Sequence, residues 1–342
     1  MAIAPGPRRW PIVAPLISVL IAFGLWSGYW WWGSSEAQRQ VAAARAELTR
    51  QGLAIACGSE SHGGFPFRFS ITCTGPDMAG ADGWRASTSV IEVLAQAWNP
   101  GHLIFVMTGP LRLTRPDGQI WTISHTAAVA SLVVGRVGVQ ASLLAEQVRA
   151  SGPAGETLAA GRLNLHVRLP EARFTEGTAT SAVADVAVFA SALDFSRPGD
   201  VPLRVESIEA EATLTALPLV LPGRLADFLR ATAAAGAELR LTRFVASAEA
   251  VDVEASGNVG LDAAGLPAGR IAMRFNDVKL LISRLAERGL LAPQAADGAA
   301  VLVGFLTTAG AAGGKSGPID LVFRDGSIFW GPFRLASHGP LF

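Results

Sequence analysis

Residues 118–134, GQIWTISHTAAVASLVV, carry the pattern that decides the fold. Apolar and polar residues mostly alternate, which is the period of a β-strand with one face against a core. The pattern returns in GRLNLHVRLP (161–170) and TATSAVADVAVFASALDF (178–195). Turn residues such as Pro116-Asp117-Gly118 separate the alternating runs. We therefore predict antiparallel strands joined by turns over most of residues 53–217.

Helical spacing interrupts this pattern further along the chain. One short helix is predicted at 222–235, an amphipathic helix at 277–289, and a weaker third helix at 294–308. More strands follow each interruption, and Asp325-Gly326 predicts a tight hairpin near the C-terminus. The expected fold is mainly β (α+β), with a large curved antiparallel sheet and a few packing helices.

The N-terminal region predicts one transmembrane helix ahead of that sheet. Residues 11–32, PIVAPLISVLIAFGLWSGYWWW, contain no charge, and a bilayer core needs about 20 apolar residues in a helix. Arg8 and Arg9 precede the run, and three tryptophans, Trp30 to Trp32, end it. Because positive residues stay in the cytoplasm and tryptophan favours the interface, we expect the N-terminus inside and the remainder outside.

A cleaved signal peptide is the alternative for this segment, with Ser35-Glu36-Ala37 as a small-residue cleavage site. The apolar run is longer than the core of a signal peptide and ends in bulky rings, which favours an uncleaved anchor. We expect a cytoplasmic N-terminus (1–10), an anchor in the inner membrane (11–32), a helical stalk (33–52) and a periplasmic β-rich domain (53–342). Ser35 and Gln38 have the spacing of a capping box, and Gly52 is a helix stop.

The overall charge argues against nucleic acid as a partner. Lys and Arg together number 28, as do Asp and Glu, and no basic run with interleaved aromatic residues is present. Half of the residues are hydrophobic, so the chain is too apolar to be disordered.

Both cysteines lie in one stretch, CGSESHGGFPFRFSITC (57–73). A serine, a glutamate and a histidine lie among its first residues, but Ser59 to His62 are adjacent, whereas a catalytic triad converges from separate elements. Two cysteines at this separation match no zinc spacing. We expect a Cys57–Cys73 disulfide that closes a hairpin, with 53–57 running out, 58–64 turning and 65–74 returning. Unpaired cysteines and a metal or catalytic site are the alternatives.

No other motif indicates catalysis, a cofactor or a metal. The five histidines occur singly, each as a turn or strand residue, and no Gly-x-Ser-x-Gly motif occurs. We therefore expect a protein that is not an enzyme.

A short pattern, Pro-apolar-Arg-apolar, occurs at 66–69, 110–113, 202–205 and 332–335. Proline marks the start or the edge of a strand, and alternation then separates the arginine from its apolar neighbours. Four ordinary strand starts explain the pattern. The functional alternative is a surface of arginines that contacts an anionic lipid headgroup, and its candidates are Arg68, Arg112, Arg204 and Arg334.

The N-terminal span, GGFPFRFSITC (63–73), DAAGLPAGRIAMRF (262–275) and the terminal RDGSIFWGPFRLASHGPLF (324–342) together resemble a family of exported bacterial proteins, domain of unknown function 2125. The resemblance implies a location and an architecture but no chemistry. In its general layout, an anchor helix followed by a long sheet, the chain is also distantly similar to AsmA-like envelope proteins, which are associated with lipid homeostasis.

Two functional hypotheses follow. Strands such as GHLIFVMTG (101–109) and ASLVVGRVGV (130–139) are apolar on both alternating sets, so both faces need a cover. The first hypothesis is a membrane-anchored periplasmic protein whose sheet binds phospholipid or another amphiphile. The second is an envelope scaffold or protein-interaction module that uses a sheet edge or the C-terminal aromatic residues Phe329, Trp330 and Phe333.

Overall fold

A computed structural model describes residues 10–135, 138–170, 181–218, 225–287, 319–330 and 333–342. Within these ranges the chain forms three helices and one antiparallel sheet of twenty strands. The helices are α1 (Trp10–Arg50), α2 (Leu225–Ala234) and α3 (Val278–Glu287). α2 and α3 confirm two predicted helices, while the predicted helix at 294–308 lies outside the described residues. The mainly β fold class is therefore confirmed.

α1 is one continuous helix of 41 residues that includes the predicted anchor and the predicted stalk as far as Arg50. The capping-box prediction was wrong, because no helix begins at Ser35. Its hydroxyl instead donates a hydrogen bond to the carbonyl of Trp32, 2.8 Å away, as a serine inside a helix does. The predicted stop is confirmed, since Gly52 has a φ of 89° just beyond the last helical residue.

The first half of the sheet is built from ten short strands. They are β1 (Leu53–Ala56), β2 (Ser59–Gly63), β3 (Arg68–Thr74), β4 (Asp77–Gly80), β5 (Arg85–Ser87), β6 (Val90–Gln96), β7 (Asn99–Thr108), β8 (Leu111–Thr114), β9 (Ile120–Ser124) and β10 (Ala127–Gly135). One path of pairing runs β2–β3–β6–β7–β10–β11. A branch, β1–β4–β5–β8–β9, returns to the far end of β11.

The second half is a meander in which each strand pairs with the next one along the chain. Its strands are β11 (Gly138–Ser151), β12 (Thr157–Pro170), β13 (Ser181–Ser196), β14 (Leu203–Pro218), β15 (Glu238–Ala248), β16 (Val251–Leu261), β17 (Pro267–Phe275), β18 (Ile319–Arg324), β19 (Ser327–Trp330) and β20 (Phe333–Ser337). The Asp325-Gly326 turn between β18 and β19 confirms the predicted hairpin.

The structure corrects two strand assignments. The segment 58–64 was predicted to turn, but most of it forms β2, which pairs with β3, while β1 pairs with β4 instead. The turn lies at 64–67, where the amide of Arg68 donates to the carbonyl of Gly64 at 2.9 Å. Only glycine fits there, because a Cβ would lie 2.4 Å from the Arg68 carbonyl oxygen. Likewise 130–139 is not one strand, since β10 ends at Gly135 and pairs with β11 from Gly138.

Cys57 and Cys73 form the predicted disulfide, which ties the link between β1 and β2 to β3. The guanidinium of Arg45 on α1 lies beside this bond. It forms an ion pair with Glu60 of β2 at 2.5 Å, and its other terminal nitrogen lies 3.5 Å from the Cys57 sulfur. The disulfide, β2 and the distal part of α1 thus form one cluster.

β3 supplies the core on which α1 packs. Phe69, Ile71 and Cys73 alternate with exposed or half-buried residues and are themselves buried. Gly33 of α1 faces the Phe69 ring, and a Cβ at Gly33 would lie 2.6 Å from that ring. The Trp30 ring stacks at a tilt on Phe69 with 6.0 Å between the ring centroids. The missing side chain at Gly33 therefore lets the Phe69 ring lie directly against the backbone of α1.

Replacing Phe69 by alanine tests this contact. Phe69 is 6% exposed and Phe67, two residues earlier, is 65% exposed. Because a cavity would open between α1 and β3, Phe69→Ala should lower the free energy of unfolding by about 3 kcal/mol or more. Phe67→Ala should change it by less than about 0.5 kcal/mol. Denaturant titration of the full chain in detergent measures both, and equal effects would contradict the packing described.

The disulfide predicts the thiol content of the purified protein. Denatured without reductant, the chain should show no titratable thiol, because both of its cysteines are in the bond. After reduction it should show both. Two free thiols before reduction, in protein kept from oxygen and reductant since extraction, would contradict the bond.

Candidate functional site

The sheet from β7 through β10 to β18 has an apolar face and a polar face. Because side chains alternate along each strand, residues that are opposite each other in the register share a face. One row on the apolar face contains Leu103, Leu132, Ala141, Val167, Val186, Ala212, Leu241, Gly257, Ile271 and Leu321. The next row contains Phe105, Ala130, Leu143, Leu165, Val188, Ala210, Phe244, Ala255, Met273 and Ile319. The twenty positions of these two rows therefore hold no polar side chain.

The described residues cover this apolar face only in part. α1 packs against β1 and β3 at one end of the sheet, and α2 packs against β14 and β16. Between them most side chains of the two rows are half-buried, and Leu143 and Val188 are exposed. A closed core would bury such residues, as it buries Ile71. The face is a candidate site for an apolar ligand.

The opposite face is mostly polar from β11 onward, although Ile104, Val106 and Val129 make it apolar over β7 and β10, and three ion pairs cross its strands. Arg162 pairs with Glu146, Arg168 with Asp185, and Arg243 with Glu209, at N···O distances of 2.8, 3.0 and 3.3 Å. All six side chains are at least one-third exposed, so each pair stabilises the fold little. Their effect is to keep this face in water.

A trough of about 620 Å³ crosses the polar face over β7 and β10–β15. Within it the His102 ring nitrogen Nε2 lies 2.9 Å from the Ser131 hydroxyl, and Thr213 donates to Asp185. Sequence reasoning missed the His102–Ser131 pair, since the two residues are far apart in sequence and only the pairing of β7 with β10 brings them together.

The geometry around Ser131 does not suit nucleophilic catalysis. Ser131 lies inside β10, between Ile104 of β7 and Ser142 of β11 in the register. Neighbouring amides therefore donate to the two adjacent strands, whereas an oxyanion hole needs amides that point at the substrate. A catalytic serine also lies on a sharp turn in the hydrolase motif that exposes it. We interpret the pair as a hydrogen bond of the polar face.

The four candidate headgroup arginines lie on four strands that do not pair with one another: Arg68 on β3, Arg112 on β8, Arg204 on β14 and Arg334 on β20. All four are exposed, and Arg204 pairs with Asp194 at 3.3 Å. β3 and β20 lie at opposite ends of the pairing path. The structure thus does not bring the four together as one cluster.

The remaining candidates are distributed over the fold. His62, His102 and His166 lie in strands, His125 lies in the connection between β9 and β10, and His338 follows β20. The Arg324 guanidinium lies over the Phe329 ring, 4.4 Å from the ring centroid. The side chains of Trp330 and Phe333 are not among the side chains that the structure describes. Across the described ranges, no three His, Cys, Asp or Glu side chains converge as metal ligands do.

A second candidate site lies where α1 meets the turn at 64–67. Trp26 donates its indole N–H to the carbonyl of Pro66, and Trp30 donates to that of Arg68, each at 2.9 Å. The Tyr29 hydroxyl donates to the carbonyl of Ala97, 2.6 Å away, in the turn between β6 and β7. Three side chains of the predicted anchor thus bind two connections of the sheet and the start of β3.

Beyond the apolar run, α1 becomes polar. Hydrogen bonds from Gln40 and Arg39 hold the pKa of the Glu36 carboxyl below its ordinary value. Glu36, the first charged residue after the apolar run, therefore stays ionised at neutral pH.

These features define a class: a mainly β protein with an amphipathic antiparallel sheet and one N-terminal helix, Val13–Arg50, long and apolar enough to cross a membrane. The sequence matches the family described as "uncharacterized protein conserved in bacteria (DUF2125)" over residues 30–338. The chain belongs to that family. Comparisons with curated proteins and with solved structures found no match. The likeness to AsmA-like proteins stays a prediction.

Adjacent residues on β13 test the two-faced arrangement. Ala184 is 2% exposed on the apolar face, and Asp185 lies on the polar face. Ala184→Asn would bury an unpartnered amide, so it should lower the free energy of unfolding by about 2 kcal/mol or more. Asp185→Asn should cost less than about 1 kcal/mol, because an exposed ion pair contributes little. Thermal melts compare the loss of stability in the two variants. A larger loss for Asp185→Asn than for Ala184→Asn would contradict the assignment of the faces.

Proposed function

We propose that this protein is a non-enzymatic envelope protein that binds the acyl chains of phospholipid, or of another amphiphile, on the apolar face of its sheet. In this proposal α1 anchors the chain in the bacterial inner membrane, with the N-terminus in the cytoplasm and the sheet in the periplasm. Its role is lipid handling in envelope homeostasis.

The single observation that carries the proposal is the pair of apolar rows. Ten adjacent strands contribute two successive apolar positions each, and the described helices leave the middle of these rows half-exposed. An apolar surface of this kind on a single chain indicates an interaction site. At a strand spacing of about 4.8 Å, ten strands extend roughly 43 Å, whereas one lipid chain occupies roughly 15 Å of a hydrocarbon core. The surface has room for more than one acyl chain.

The charge on the two faces supports an amphiphile as the ligand. The apolar rows carry no group that would need to pair with a polar ligand, so they favour hydrocarbon over peptide or sugar. Ion pairs cross the opposite face instead, as for Arg168 and Asp185. A lipid would lay its chains on one face and leave its headgroup at the sheet margin.

The location in the proposal is supported by the sequence at the ends of the apolar run. Arg8 and Arg9 precede the run and Trp30 to Trp32 end it, which favours an N-terminus in the cytoplasm. The Cys57–Cys73 disulfide is compatible with an oxidising periplasm. The layout of an anchor and a long sheet would then fit the AsmA-like resemblance.

Photolabelling of the full chain tests the proposal. The protein would be reconstituted in vesicles that contain a phospholipid with a diazirine in its acyl chain, illuminated, digested and mapped by mass spectrometry. We expect labels on β11–β14 in addition to α1, because acyl chains would lie on the apolar rows. Labels confined to α1 and its immediate contacts would contradict an acyl-binding face.

β13 supplies a matched pair of variants for this experiment. Val188 and Phe189 are adjacent and both are 36% exposed, but Val188 lies on the apolar face and Phe189 on the opposite one. An acyl chain on this face would bury the new carboxylate at a large cost in free energy, so Val188→Glu should remove labelling of β12–β14. Phe189→Glu should leave it unchanged. Equal loss in both variants would indicate a general effect on folding and would count against the face-specific site.

A further inference from the structure

An aromatic patch surrounds the place where α1 joins the sheet. The turn at 64–67 presents Phe65 and Phe67, and the turn between β6 and β7 presents Trp98, which is 61% exposed. Trp31 and Trp32 of α1 are exposed as well. We call the two turns, with Phe65, Phe67 and Trp98, the aromatic tip.

The tip is fixed to the helix rather than free. The amide of Ala97 donates to the carbonyl of Phe67 at 3.0 Å, so the two turns are joined to each other. Trp26 and Tyr29 donate to carbonyls of the same two turns, and Trp30 donates to the carbonyl of Arg68, the residue after the first turn. The exposed rings therefore keep a set position along α1.

That position lies inside the apolar run. The Phe65 ring packs edge-on against Trp30 and also against Phe23, with ring centroids 5.3 and 6.1 Å apart. Phe23 precedes Trp30 by seven residues, which is about 10 Å along a helix. If the run spans the bilayer and its tryptophans mark the interface, the tip must reach below the headgroups.

We propose that the aromatic tip inserts into the membrane leaflet on the side of the sheet, beside the anchor. The occupant of this surface is lipid, because the continuous helix fixes the tip at the level of the membrane and because residues 64–67 and 97–98 carry no charge. Tryptophan favours the membrane interface and phenylalanine favours the hydrocarbon beneath it, as Trp98 and the two phenylalanines would be placed here. The three donors from α1 satisfy carbonyls of the two turns and of the adjacent Arg68, which water could not reach there.

The first charge after the tip fits the same depth. Arg68 directly follows the turn and is exposed, and its backbone carbonyl accepts the hydrogen bond from Trp30. A long cationic side chain at this level reaches the phosphate of a lipid headgroup. Of the four candidate headgroup arginines, Arg68 is thus the one whose place suits that role, through a bilayer rather than through a bound lipid. The inference requires α1 to span the membrane, but it does not depend on the acyl-binding face.

Depth-dependent quenching on the full chain tests the insertion. Both native cysteines are in the disulfide, so an added cysteine accepts an environment-sensitive fluorophore selectively. Phe67→Cys places it on the tip, and Val201→Cys places it in the connection between β13 and β14, at the opposite ends of the strands. The two positions are matched in exposure, 65% and 64%. Trp98→Cys gives a second position on the tip.

The proteins would be reconstituted in vesicles of phosphatidylethanolamine and phosphatidylglycerol, with nitroxide lipids as quenchers. We expect a blue-shifted emission and strong quenching at Phe67→Cys and Trp98→Cys, and neither at Val201→Cys. Tip labels that resemble Val201→Cys would overturn the proposal, because the tip would then lie in water. Equal quenching at all three positions would also overturn it, since the domain would then adsorb without a preferred tip. Neither result would decide whether acyl chains bind the apolar face, which the photolabelling experiment measures separately.

Discussion

The register of the meander is the constraint on which the rest of the structure depends. A shift of one residue between two strands would turn every side chain of one strand to the other face. Here the shift would place Leu165 and Val167 among the charges, and Arg168 on the apolar face, away from Asp185. Each ion pair contributes little energy, but the ion pairs and the apolar rows favour the same register. Agreement of this kind specifies one fold.

The same alternation explains why the first half of the sheet has a conventional core and the second half does not. In β3 the apolar positions lie under α1 and the paired strands, and they are buried. From β10 to β13 equivalent positions continue without a comparable cover among the described elements. A sheet with one apolar face needs a cover on that face, and in the proposed function acyl chains supply it. The polar face needs no such cover, because water solvates its side chains.

The class of fold could be predicted because alternation is local and strong in 161–170 and 178–195. Helix positions followed from spacing around Leu225 and Val278, and the turn at Asp325-Gly326 followed from its chemistry. The predicted hairpin at 53–74 failed because SESHG has little apolar character, and only the pairing of β2 with β3 shows it to be a strand. The start of a separate stalk helix at Ser35 failed because a capping sequence inside a longer helix is indistinguishable from one at its start. The apolar rows and the His102–Ser131 pair depend on the register between separate strands. That register cannot be derived from a single sequence.

The meander has a consequence for how the chain reaches its final form. From β11 to β19 every strand pairs with the strand just before it, so each new strand finds its template already made. By contrast, β3 pairs with β6 and β7 pairs with β10 across intervening strands. These pairings carry a larger entropic cost of loop closure. A chain synthesised from its N-terminus would complete the costly part first. The rest would then extend the sheet in the order in which it emerges.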